Sequence, residues 1–165
     1  MPGSQPNLKE VMRKLWTDHA VYMTLVMKSM VDNQPDYEFL LARLYRNQKD
    51  IADQLIASKV ERKRLQRLLE KHITLTLDTI YAAIQIQAAV DSVVSNRGND
   101  IGEFFRELGA RDFKKIQSMF VGNTYSMVMM SERLLRREFD SEPDLYDLHY
   151  NNILEMSDMI TEALQ

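Results

Sequence analysis

A chain of 165 residues, 45% hydrophobic and 27% charged, is sized for one globular domain with its own core. The formal charge of −3 gives no electrostatic case for binding nucleic acid or an anionic membrane. The absence of cysteine excludes disulfides, zinc–thiolate sites, iron–sulfur clusters and a thiol nucleophile.

Five glycines and four prolines among strong helix formers predict an all-α fold. The opening "MPGSQPN" lacks the basic and apolar regions of a signal peptide and reads as a tail over residues 1–7. A single helical domain is expected over 8–165. Its first helix runs from about Leu8 to Asp32, capped by Asn7. "NQPD" breaks it, and Pro35 with Asp36 starts a second helix with the stripe Tyr37, Leu40, Leu44, Ile51 and Leu55. A break near Ser58 precedes a third helix through "RLLEKHITLTLDTIYAAIQ". The fourth includes "AVDSVVSN" and "DIGEFFREL", interrupted at Arg97-Gly98 and ended by Gly109 as a C-cap. The fifth covers Asp112 to Glu138. "FDSEPD" stops it, and a sixth begins near Glu142 with Ser141 as its cap. The expected architecture is an antiparallel bundle of four long core helices with two further packed helices.

Residues 73–90 carry Asp78 and two glutamines, and 116–131 hold Gln117, Asn123 and three serines. Both read as helices surrounded by protein rather than lipid, so a soluble, intracellular protein is expected.

Each of the four longest apolar stripes contains one strongly polar residue near its midpoint. His19 follows Val11 and Leu15 and precedes Tyr22, Val26 and Met30. His72 stands within Leu65, Leu69, Thr76, Ile80 and Ala83. Asn123 lies among Phe113, Ile116, Phe120, Met127, Met130 and Leu134, and Asn152 among Leu145, Leu148, Met156, Met159 and Ala163. Midpoints of antiparallel helices share a height, so His19, His72, Asn123 and Asn152 are expected in one polar layer.

The segments "LWTDH", "RLYRNQKDI", "LLEKHITL", "NDIGEFF" and "YDLHYNNILEMSDMI" together resemble an uncharacterised family of small helical proteins found in bacteria and large DNA viruses. The resemblance spans nearly the whole chain and rests on the order of the segments. It implies histidines in relatives at the positions of His19, His72, Asn123 and Asn152, with another at Tyr150, and hence a polyhistidine metal site there. This chain departs from that pattern with asparagine, a weak ligand for metals that imidazole selects. The alternative of a metal site or metal-dependent enzyme built on His19 and His72 therefore ranks below a hydrogen-bonded layer that fixes helix register.

No catalytic constellation is complete. Glu-x-x-His, His-Glu-x-x-His, Gly-rich phosphate loops and nucleophile elbows are absent, and Asp144 with Asp147 reads as a solvated helix start. His149 in "DLHY" is expected at the edge of its helix face. "SKVERKRLQRLLEK", with six basic and two acidic residues, reads as a solvated face laced with ion pairs. "RLYRNQKDI" reads as packing polarity. Met129 and Met130 are adjacent and cannot share one face, so one is expected to face a second helix layer or a partner. These readings favour a non-enzymatic structural or interaction protein without cofactor. Protein partners or self-assembly are expected, and the viral branch of the resemblance extends this to a virion or minor capsid component.

Overall fold

Asn7 and Glu10 start the first helix reciprocally. The Asn7 side chain accepts from the Glu10 N–H at 2.9 Å, and the Glu10 carboxylate accepts from the Asn7 N–H at 3.1 Å. Two otherwise unpaired amides are thereby satisfied. The computed structural model describes residues 7–86 and 99–164. The remainder of the expected tail, and the expected helical stretch at 89–96 with Arg97-Gly98, lie outside the described residues.

Six helices follow in order: α1 (Leu8–Val31), α2 (Tyr37–Leu55), α3 (Lys59–Ile86), α4 (Asn99–Glu107), α5 (Phe113–Leu135) and α6 (Glu142–Ala163). No strand occurs among the described residues, and the fold is all-α. No helix among them is long and apolar enough to cross a membrane.

The helix ends follow local backbone chemistry. Gly109 adopts φ +87°, and the Ala110 N–H reaches back to the Phe105 carbonyl at 3.0 Å. This left-handed closure satisfies terminal carbonyls of α4. Asn33 (φ 48°) closes α1 the same way, with Gln34 N–H on Ser29 O at 2.8 Å. Ser141, expected as a side-chain cap, does not cap α6; its hydroxyl donates to the Glu138 carbonyl at 3.4 Å. The positive end of α6 instead faces Glu142 and Asp144 in its own first turn.

α1 runs antiparallel to α6, joined by Arg13–Asp158 at 2.6 Å near one end and the Lys28–Glu142 pair near the other. α5 also opposes α6, with Lys115–Glu155 at 2.8 Å. α3 and α5 lie side by side in the same direction, since His72 meets Phe120 and Thr76 meets Thr124 one turn later. α2 lies against α1 and α3, and α4 against α3 and α5.

The core has two apolar halves. One gathers Met12, Trp16, Leu65, Leu69, Phe104, Ile116, Phe120, Ile153 and Ile160. The other gathers Met23, Met27, Leu44, Ile73, Ile80, Met127 and Met130. Met129 is partly exposed beside the fully buried Met130, as their adjacency requires.

Candidate functional site in the bundle interior

The two apolar halves stop and start at the same height on every long helix. α1 passes from one half to the other between Ala20 and Met23, α3 between Leu69 and Ile73, and α5 between Phe120 and Met127. α2 makes the change between Leu44 and Ile51. At these junctions sit His19, Asn47, Gln48, His72, Thr76, Asn123, Thr124, Ser126 and His149, all buried. A polar layer therefore divides the core across the bundle. Ring contacts tie it to the apolar half beneath: Trp16 lies 5.3 Å from His19 and 6.1 Å from Phe120, and Phe120 lies 5.1 Å from His72, all edge-on between centroids.

Two hydrogen-bonded groups are resolved within the layer. Gln48 Nε2 stands 3.1 Å from His19 Nδ1 and also 3.0 Å from both Leu44 O and Asn47 Oδ1. Three acceptors thus surround an amide with two hydrogens. Asn47 donates in turn to the Leu15 carbonyl at 2.9 Å, tying α2 to α1. On the other side, Ser126 Oγ donates to Asn123 O at 2.9 Å and lies 2.9 Å from His149 Nδ1. With the hydroxyl hydrogen on that carbonyl, the matching His149 tautomer carries its proton on Nδ1 and a lone pair on Nε2. Thr76 and Thr124 bridge α3 and α5 at 3.0 Å.

All three histidines are held neutral. Burial, and then the nearby His72 and His149 rings, lower the His19 pKa to about 3. Burial, then His149, lowers His72 to about 4, and burial alone brings His149 to about 4. Desolvation disfavours imidazolium at each ring, and no carboxylate offsets that cost.

His19, His72 and Asn123 occupy the layer as expected. Asn152 does not belong to it: the residue is only half-buried, whereas His149, expected at an edge, is fully buried. The inward face of α6 is His149, Ile153, Met156 and Ile160, rotated from the stripe through Leu148 and Asn152. Leu148 itself is 55% exposed. α6 lies between α1 and α5, so its buried face is set by two neighbours rather than by its longest apolar run. Asn47 and Gln48 of "RLYRNQKDI" are packing polarity, as read, but they extend the layer onto a fifth helix. Their signal was the six-residue gap between Leu44 and Ile51, which Gln48 fills at helical spacing.

Several buried polar atoms in or beside the layer have no hydrogen-bond partner: Gln48 Oε1, Asn123 Oδ1, His149 Nε2 and Trp16 Nε1. Two surface clefts, of about 680 and 540 Å³, are lined by none of the layer residues. Among the described residues no three His, Asp or Glu side chains stand close enough to hold one ion between them. The chain matches no family model, no curated protein and no solved structure.

Proposed function

We propose that the protein is a non-enzymatic helical bundle acting as a structural or interaction component of a larger intracellular assembly. One observation carries the reading: apolar side chains stand outward at one-turn spacing on helices whose inner faces are already filled. Val21 and Leu25 on α1 are 39% and 41% exposed, and Tyr125 and Met129 on α5 are 45% and 37% exposed. Single exposed apolar residues are ordinary, but adjacent ones are ground for a protein partner. The interior supports the same reading, because Asn47, Gln48, Thr76 and Ser126 join neighbouring helices and no layer residue lines either surface cleft. The resemblance to a family with a viral branch extends the proposal to a virion or minor capsid component.

Size-exclusion with light scattering on the full chain tests this, together with cross-linking in its native source. Self-association or a stoichiometric partner, lost in Tyr125→Lys/Met129→Lys, is the expected result. A monomer at all concentrations, with no cross-linked partner, would overturn it.

A further inference from the structure

The two ends of the bundle carry opposite charge. α3 begins at the end where α6 finishes, because α3 runs with α5 and α5 runs against α6. There Lys59, Val60, Lys63 and Arg67 form one exposed strip along the start of α3, at spacings that keep them on one face. Val60 is 74% exposed. The acids around this strip are already used: Glu61 and Glu107 pair with Arg64, and Asp53 pairs with Lys49 and Arg62. Lys59, Lys63 and Arg67 form no ion pair among the described residues. The opposite end is the complement. No basic residue stands between Glu138 and Asp147. Glu138 and Glu142 are neutralised by Arg133 and Lys28, but Asp140, Asp144 and Asp147 form no ion pair among the described residues. Asp140 adjoins Phe139 and Asp147 adjoins Tyr146, and these two aromatic residues line a smaller cleft of about 440 Å³ with Thr24 and Pro143, where α1 meets α6. Phe139 is 52% exposed, and the exposed Val21 stands one turn from Thr24 along the α1 edge of the cleft.

We infer that the protein assembles head to tail with a second copy of itself, the basic strip of α3 in one copy docking on the acidic cleft between α1 and α6 of the next. Charge selects this occupant. Two acidic clefts repel each other, and so do two basic strips, so like ends do not pair. Unlike ends match: the cations Lys59, Lys63 and Arg67 meet the carboxylates Asp140, Asp144 and Asp147, and Val60 brings an apolar contact to Phe139. A contact that uses a different surface on each copy leaves one surface of each kind free, so it propagates beyond a dimer. The inference rests on the reading of the protein as an assembly component and names one partner for it. Tyr125 and Met129 take no part in the contact and stay available to a further partner.

Sedimentation of the full chain over a range of concentrations, at about 50 mM and about 0.5 M salt, tests the contact. At low salt the mass should grow beyond a dimer with concentration, and high salt should weaken association by about tenfold or more. Lys63→Gln/Arg67→Gln neutralises one docking surface and Asp140→Asn/Asp147→Asn the other. All four positions are exposed and outside the core, so circular dichroism and melting of both variants should match wild type. Each variant alone should associate about tenfold more weakly than wild type or worse. Mixed in equal amounts, the variants retain one intact surface of each kind and should form a one-to-one dimer of wild-type affinity that grows no further. Association that is unchanged in both variants, or a mixture no stronger than either variant alone, would overturn the head-to-tail contact. A wild type that stays monomeric at low salt yet cross-links to a different protein in its source would also overturn it, while leaving the assembly reading intact.

Discussion

Ser126 on α5 and His149 on α6 meet through a 2.9 Å hydrogen bond that joins the two helices inside the core. With the serine's hydrogen on the Asn123 carbonyl, the matching imidazole donates. His149→Ala removes that donor and leaves a void in a fully buried position. It should cost about 1–3 kcal/mol for lost pairing, with a cavity cost added. Asn152→Ala, at a half-buried position on the same helix, should stay within about 0.5 kcal/mol of wild type. Denaturant unfolding of the two variants checks the rotation of α6 directly.

The Thr76–Thr124 bridge should show coupling. Thr124→Val leaves the buried Thr76 hydroxyl without its 3.0 Å partner, whereas replacing both threonines by valine leaves neither unmatched. A double-mutant cycle should give an interaction energy of about 1 kcal/mol, with the double variant closer to wild type than the sum of the singles. Additive effects would mean that the two hydroxyls do not depend on each other.

Gly102 and Gly122 should respond oppositely to alanine. A Cβ on Gly102 would lie 2.8 Å from the Gln117 Cβ, an atom fixed to the α5 backbone. Overpacking of that kind costs about 1–3 kcal/mol, more than the helix propensity that alanine returns. Gly122 has nothing within 4 Å of such an atom, so Gly122→Ala should stabilise by about 0.5–1 kcal/mol. Thermal melts of the two variants on either side of wild type would confirm the close α4–α5 approach.

The layer was legible on the helices whose apolar stripe coincides with their buried face. On α3 every stripe residue from Leu65 through His72 to Ala83 is buried, and on α5 so are Ile116, Phe120, Asn123, Met127, Met130 and Leu134. Their apolar stripes and buried faces coincide. On α1 and α6 the buried face is rotated from the stripe by about one residue. Met12 and Trp16 go fully inward in place of Val11 and Leu15, and His149 and Ile153 in place of Leu148 and Asn152. Periodicity reports where apolar residues are, not which side a neighbour covers. Leu148 is apolar and outside; His149 is polar and inside.

Acid should unfold the protein in a defined window. Each histidine's folded pKa lies below the unfolded value near 6.5, so proton uptake favours the unfolded chain. Above about pH 6.5 neither state is protonated and the histidines impose no pH cost. Below it, each costs about 1.4 kcal/mol per pH unit, down to about pH 4 for His72 and His149 and about pH 3 for His19. At about pH 5 that is about 2 kcal/mol for a single ring. Denaturant midpoints between pH 7.5 and pH 5 should fall steeply in wild type and less steeply in His19→Gln.

Three imidazoles from α1, α3 and α6 sharing one buried, uncharged layer is the claim on which the rest depends, and histidine-resolved NMR tests it most directly. In the folded protein, ring nitrogen shifts should stay those of neutral imidazole from pH 8 to about pH 5. His149 should carry its proton on Nδ1 throughout. A ring of His19, His72 or His149 that titrates near 6.5 while the protein remains folded would place that side chain in solvent and contradict the layer.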